Sequence, residues 1–406
     1  MSHELSPDQA NAQAVLLPFF KRRGEGLLTL GGYAGCGKTW LVADTVAKLD
    51  PRPRIAFCAF TGKAASVLKA KLAAAGALKE SDYCGTVHGL IYTAHAAAPT
   101  GKPVPAVEEG EAPKKREPIL KRTSAGIGFD LKDRIDCDFI VLDEASMMRE
   151  DLFDDLRSFE KPILAVGDHG QLYPVGDRFS LMRNPDLRLE QIHRQAEGDP
   201  IIRLSVMARE EGRIPLGDWS SPGRTVRKTR DGSEISKVPE LEKVLFLCGI
   251  NATRVRYNAF VRERVGFLSH DPEPGEKVIC LKNNRDEKIF NGMTGKILAI
   301  EPRGQHWYET EIQMEDETLY AGWIFKHQFG SLYPVHEYEG LESWKIGELF
   351  DWGYCMTTHK SQGSEADSVV LVEEKVGMMS DDDWRRWLYT AVTRSKKNLL
   401  IIGRGR

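Results

Sequence analysis

Eight consecutive residues, Gly32-Tyr33-Ala34-Gly35-Cys36-Gly37-Lys38-Thr39, carry the spacing G-x-x-x-x-G-K-T in full. Glycines at those places let backbone amides curl around phosphate oxygens. A lysine at the eighth-but-one place reaches the β/γ phosphates, and the hydroxyl that follows ligates Mg²⁺. The run FIVLDEAS adds two acids: Asp143, a carboxylate to hold the metal, and Glu144, placed to polarise an attacking water. In Gly167-Asp168-His169-Gly170-Gln171, the neutral amide of Gln171 hydrogen-bonds both ways and suits either a γ-phosphate sensor or a polar turn. Phosphoryl transfer also calls for a guanidinium against the developing charge. Arg194 (IHRQ) and Arg394 (VTRSKK) are the candidates, each also readable as a surface charge. Ser6-Pro7-Asp8-Gln9 fits a helix capping box with Pro7 at the first helical position. The Gln9 amide would equally pair with the N6/N7 edge of adenine.

These groups need elements that end in the right places. Short apolar runs bounded by Gly, Asp or Pro read as buried parallel strands: LLTL (27–30), RIAFCAF (54–60), DFIVLDE (138–144) and ILAVGD (163–168). Helical patterns at Thr39–Leu49 and Lys63–Ala75 separate the first three, which implies βαβ units in a doubly wound sheet. The theme returns with KVLFLCG (243–249), SVVLVE (368–373) and NLLIIG (398–403). A helix lies between the last two, with Asp381–Asp383 at its start and Trp384, Trp387, Leu388, Ala391 and Val392 on one face.

The expected fold class is therefore α/β: two α/β domains with two insertions. Residues 1–90 and 138–185 form the first domain, and 186–265 and 345–406 the second. Residues 91–137 open with an Ala/Pro-rich tract and continue into a hairpin around Ser124–Gly128. Residues 266–344 carry short runs with turn signals (EKVICL, FNGMTGKILAI, HWYETEIQM, LYAGWIF) that suit a small antiparallel β-barrel.

Length and composition agree. At roughly 150 residues per domain, 406 residues suggest two or three domains. A hydrophobic fraction of 41% excludes a disordered or fibrous chain. No apolar run approaches the roughly 18 residues that span a bilayer, and the first residues lack the basic and apolar regions of a secretory signal. A soluble, cytoplasmic protein is expected. The seven cysteines lie far apart with no CxxC pair, which suggests neither a zinc site nor a disulfide framework. A net charge of −3 gives no global sign of nucleic acid. Residues 113–134, with seven basic and three acidic residues, and 385–406, with seven basic and none acidic, are the places to expect phosphate contacts.

The order of motifs carries a family resemblance. LSPDQ, GYAGCGKT, AFTGKAA, TVHG, DEAS, GDHGQLYPV, IHRQ, TTHKSQGSEAD and YTAVTR span residues 5 to 395. This order resembles superfamily 1 helicases of the 5′→3′ subgroup, closest to RecD-like enzymes and the phage Dda helicase. The resemblance implies two RecA-like domains, ATP and Mg²⁺ as ligands, and movement along single-stranded DNA at single-strand/duplex junctions by a monomer, with replication or recombination proteins as partners. It implies nucleotide contacts from Gln9, Gly32, Gly35, Cys36, Gly37, Lys38, Thr39, Trp40, Gly363 and Glu365, metal contacts from Thr39 and Asp143, and catalytic parts for Glu144, Gln171, Arg194 and Arg394. Thr61, Lys63, Thr86, His88, Asn251, Thr358, His359 and Lys360 would line the strand track. Gln362 would belong to the far wall of the cleft, and Phe129 would be a wedge on the duplex-splitting hairpin. Where the family tends to have Pro, Tyr173 stands, an aromatic free to face a base or to pack in the core.

Two rivals share part of this pattern. An ATPase switch or loader would keep every nucleotide residue and lack a working hairpin. A nuclease would use Asp367 with Glu373-Glu374-Lys375, a superficial D…ExK metal site, although Glu373 and Lys375 follow directly on a buried strand.

Overall fold

The computed structural model describes residues 5–22, 24–60, 62–95, 128–173, 179–191, 198–282, 284, 287, 289, 291–315, 317–341, 345–377 and 379–403. The side chains of residues 63, 94, 95, 128 and 129 are also outside that description. Thr61, Arg194 and the expected turn at 124–127 therefore lie outside the described residues, as do the side chains of Lys63 and Phe129.

The first sheet is parallel throughout. Its strands are β1 (Gly26–Gly32), β2 (Ile55–Ala59), β3 (Tyr83–Thr86), β6 (Phe139–Leu142), β7 (Pro162–Gly167) and β8 (Leu187–Leu189), in the order β3-β2-β6-β7-β1-β8. Between β3 and β6, β4 (Tyr92–His95) and β5 (Gly128–Leu131) pair antiparallel as a separate ribbon at the base of the first insertion. The two-residue period of a strand splits the core into two layers. Ile55, Phe57, Leu164 and Val166 pack on one face under the helices Pro7–Phe19, Lys38–Ala47 and Gly62–Ala74. Ala56, Cys58, Ile163 and Ala165 pack on the other, against Val87, Leu152 and Leu156. Burial on both faces is why these strands read as continuous apolar runs rather than alternating ones.

The second half holds β9 (Gly217–Asp218), β10 (Val226–Thr229), β11 (Leu245–Cys248), β17 (Cys355–Thr357), β18 (Ala366–Val372) and β19 (Ser395–Ile402). Their order is β17-β11-β18-β19-β10-β9, parallel except for the edge pair β9–β10. A third, antiparallel sheet runs β15-β14-β13-β12-β16, from β12 (Lys277–Cys280), β13 (Thr294–Arg303), β14 (Trp307–Met314), β15 (Leu319–Phe325) and β16 (Phe350–Trp352). It curls back on itself where the Phe325 amide donates to the Glu348 carbonyl at 2.9 Å.

Two strands cross the boundaries expected from sequence. β8 extends the first sheet past residue 185, and β16 carries the third sheet past 344. Both are three-residue strands, too short to show a period. β3 and β10 (YCGT and VRKT) were hidden for the same reason, with too few apolar residues to stand out.

The third sheet is latched to the helix Asn251–Val265 by two buried ion pairs. Arg254 Nη1 lies 2.5 Å from Asp351 Oδ2, and Arg262 Nε lies 2.5 Å from Glu276 Oε1. All seven cysteines are free thiols, and all but Cys84 are buried. No helix among the described residues is long and apolar enough to cross a membrane.

Candidate nucleotide site and strand groove

Strand β1 delivers the phosphate loop, and the helix Lys38–Ala47 starts directly after it. Gly35 and Gly37 have φ of +83° and +74°, a left-handed backbone that a side chain would strain. Two such residues turn successive amides inward, and the helix N-terminus adds its positive end. Lys38 Nζ is parked on loop carbonyls, donating to Gly32 O at 2.6 Å and Tyr33 O at 3.1 Å.

A cavity of about 430 Å³ opens over this loop, and both α/β halves line it. From the first come Gly35, Gly37, Lys38, Thr39, Trp40, Asp143, Glu144 and Gln171, and from the second Gly363, Glu365 and Arg394. The structure thus brings to one place residues separated by more than three hundred positions in the chain. Lining residues that were not anticipated include Ala64, Val67, Leu68 and Lys71 on the helix Gly62–Ala74, and Thr393 and Lys396 around Arg394. The spacing of Ala64, Val67, Leu68 and Lys71 marks one helical stripe, a signal present in the sequence.

The acids sit in strained, desolvated positions. Glu144 has φ of +54°, uncommon for a residue with a side chain and a cost that structures keep where function needs it. Burial pushes the Asp143 carboxyl up, against the pull of the Glu144 amide and of Lys38 and Lys71. Burial and the neighbouring Asp143 push Glu144 up, against Arg394 and Lys38. A carboxyl held above its ordinary range is a stronger base once ionised, which suits proton abstraction from water. Arg394 is 3% exposed. Its Nε donates to Thr390 O at 3.0 Å and its Nη1 to Ser364 O at 3.3 Å, which fixes the guanidinium plane.

Some expected residues are placed differently. Gln9 is fully buried and completes the capping box, its Oε1 accepting from Ser6 N at 3.2 Å. Its Nε2 donates to Cys36 O at 3.0 Å, so the amide braces the phosphate loop. Gln362 is not among the cavity residues; its Nε2 donates to Leu172 O at 2.7 Å. The basic stretch at the carboxyl end is largely committed: Arg386 to the carbonyls of His169 and Gln171, Lys396 to Glu365, and Lys397 to Asp367.

A second cavity of about 790 Å³ lies at the carboxyl ends of β11 and β17. Tyr173, Asn251, Thr357 and His359 line it with Leu332 and Tyr333, and the Tyr333 side chain is 69% exposed. Thr358, expected here, is wholly buried, and its hydroxyl donates to Cys248 O at 3.4 Å. Its neighbour Thr357 takes the place at the groove. Tyr173 is not free on all sides, because the Arg386 guanidinium lies 4.4 Å from its ring centre. Burial holds His359 below its ordinary range, hence neutral at pH 7. Asn251 opens its helix without capping it, and its Oδ1 accepts from Arg254 Nε at 3.2 Å. Thr86 caps the short helix Val87–Ile91, accepting from Gly89 N at 3.1 Å, and His88 follows it; both are on the first domain, outside this groove.

The nuclease constellation does not assemble. Glu373 pairs with the buried Lys228, Glu374 accepts from Thr253, Asp367 pairs with Lys397 and Lys375 with Asp381. No group of three metal-ligating side chains occurs among the described residues.

A phosphate loop, paired acids and an arginine from a second α/β half are the parts of a P-loop nucleotide hydrolase, set here in a cleft between two α/β halves. Family comparisons refine that class. An AAA domain family matches residues 20–177, and the UvrD-like helicase C-terminal domain family matches residues 353–402. The RecD subunit of the RecBCD enzyme of Mycobacterium tuberculosis is 26% identical over 93% of this chain and 67% of its own length. The ATP-dependent RecD2 DNA helicase of Deinococcus radiodurans is 26% identical over 75% of this chain and 42% of its own. The chain thus spans about two thirds of the first relative and under half of the second. A crystal structure of Bacteroides Pif1 bound to single-stranded DNA aligns with 99% of this chain and 93% of that one, at 16% identity and a TM-score of 0.49. By motif order and sequence matches together, the chain is similar to the RecD-like superfamily 1 helicases.

Proposed function

We propose that this protein is an ATP-dependent DNA helicase that translocates 5′→3′ on single-stranded DNA and unwinds duplex DNA. The observation that carries this reading is the cavity in which Lys38, Thr39, Asp143 and Glu144 of one half face Gly363, Glu365 and Arg394 of the other. A site built from two bodies converts occupancy by a triphosphate into their relative movement.

On this reading Lys38 leaves its carbonyl partners for the β/γ phosphates. The hard oxygen donors Thr39 and Asp143 suit Mg²⁺, which would neutralise phosphate charge. Glu144 orients the attacking water and takes its proton, Gln171 senses the γ-phosphate, and Arg394 faces the developing charge. Arg194 would add a second guanidinium. The groove at Tyr173, Asn251, Thr357 and His359 would grip one stretch of strand, while Thr61, Lys63, Thr86 and His88 grip the next. Alternate gripping of the sugar–phosphate backbone gives movement with weak sequence preference and strong salt dependence. Residues 91–137 would hold the strand-separating hairpin with Phe129 as its wedge, and the third sheet would be the small barrel of the fold. The chain acts as a monomer in the cytoplasm, at single-strand/duplex junctions.

The test is ATP-dependent strand separation on duplexes bearing either a 5′ or a 3′ single-stranded tail. Unwinding only from the 5′ tail is expected. Unwinding only from the 3′ tail would reverse the polarity, and DNA-stimulated ATP turnover without unwinding would favour a loader or switch.

Lys360 gives a pH signature. Burial and the neighbouring Arg254 lower its pKa to about 8. A phosphate contact raises it again, so above pH 8 binding must take up a proton. Affinity for an oligothymidylate is therefore expected to fall about tenfold between pH 7 and pH 9, by linkage. Fluorescence anisotropy should show the fall in the unaltered chain and not in Lys360→Arg. A flat profile in both would remove Lys360 from the strand track.

A further inference from the structure

The two α/β halves meet at the loop Asp168–Leu172, which the helix Asp381–Val392 holds through several hydrogen bonds. Arg386 Nη1 donates to His169 O at 2.6 Å, and Leu172 N donates to Thr390 Oγ1 at 3.0 Å. Between them sits Tyr389, 1% exposed. Its hydroxyl donates to Asp168 Oδ2 at 2.5 Å and accepts from Ala34 N at 2.8 Å. The direction of both bonds is forced, since an amide N–H only donates and an ionised carboxylate only accepts. Asp168 Oδ1 in turn accepts from Gly170 N at 2.8 Å, one residue before Gln171. One hydroxyl from the second half therefore ties the phosphate loop to the loop carrying Gln171. The next turn of the same helix leads to Arg394 at the cavity.

We propose that Tyr389 is a positioning residue that sets phosphate loop, Gln171 loop and Arg394 in one register, so that cleft closure reaches all three together. This rests on the helicase reading above. Tyr389 is not among the residues lining the nucleotide cavity, so its hydroxyl acts through Ala34 and Asp168. Removing it leaves the half-buried Ala34 amide and the buried Asp168 carboxylate each one partner short, with the ring still in place. Loss of a hydrogen bond to a charged group corresponds to about a tenfold effect or more.

The experiment compares the unaltered chain with Tyr389→Phe, Asp168→Ala and the double variant. ATP turnover is measured at saturating oligothymidylate, with strands separated per ATP hydrolysed as a second readout. Each single variant is expected to lower kcat about tenfold with the ATP KM within about twofold, and to lower strands separated per ATP. The double variant is expected to be no slower than the slower single, because both substitutions break one bond. Unchanged kcat in folded Tyr389→Phe overturns the proposal, as do single losses that multiply in the double variant. Should Tyr389→Phe fail to fold, Asp168→Ala tests the bond from its other end: a tenfold fall supports it and an unchanged rate overturns it. Absence of turnover in the unaltered chain would remove the helicase reading itself, an outcome distinct from a loss confined to Tyr389.

Discussion

Arg394→Ala is expected to lower DNA-stimulated ATP turnover by about three orders of magnitude, the low end of the range for an arginine that meets transferring phosphoryl charge. The residue lies at the interdomain cavity, almost wholly buried, with its plane fixed by Thr390 O and Ser364 O. It also stabilises the ionised form of Glu144, so its removal leaves less of that residue ionised to act as base, besides taking away the charge clamp. Nucleotide binding should change far less than turnover, since the loop amides and Lys38 remain. Arg394→Lys should not restore the rate, because a point charge on a flexible stem does not reproduce the planar fork. Steady-state kcat and ATP KM, measured with and without oligothymidylate, check this. A kcat within threefold of the unaltered chain would sink the assignment.

Asp351→Ala is expected to cost about 3–5 kcal/mol of stability, the range for stripping one partner from a buried ion pair. Asp351 is fully buried and holds Arg254, the Gly330 amide at 3.0 Å and its neighbour's amide. Burial pushes its carboxyl up while Arg254 pulls it down, so the pair survives only as a pair. Without it, the Arg254 guanidinium stays buried and keeps the Ser331 carbonyl and Asn251 Oδ1 as acceptors. Asp351→Asn, which can still accept, should lose less. The first thermal or denaturant transition is the measurement, and an unchanged midpoint in Asp351→Ala would refute the latch.

Much of this was legible because it is local. The phosphate loop, Asp143 and Glu144 are each fixed by a strand and the turn that follows it, and a run such as FIVL reports burial on both faces without further context. What was not legible depends on contact across the chain. Tyr389 reads as one more apolar position on an amphipathic helix, yet its hydroxyl meets an amide 355 residues away. Thr358 and Thr357 are indistinguishable in sequence; the backbone after β17 turns one into the core and the other into the groove. Gln9 satisfied two local rules at once, and the structure gives its oxygen to the cap and its nitrogen to Cys36. The basic residues near the carboxyl end suggested free phosphate-binding charge, whereas carboxylates and carbonyls on neighbouring elements take up several of them.

The burial of the thiols has a practical side. Cys36 lies within the phosphate loop itself, yet it is 0% exposed and burial pushes its pKa up to about 11. Cys280 is pushed up to about 12, and complete burial holds Cys58 and Cys355 well above the usual thiol range. Because the thiolate is the reactive form, these sulfurs are poor nucleophiles at neutral pH. Only Cys84 is partly open, and its thiol is also raised. The native chain is therefore a quiet background for maleimide chemistry. A cysteine introduced on each side of the cleft would report opening and closing by fluorescence without first stripping the protein of its own.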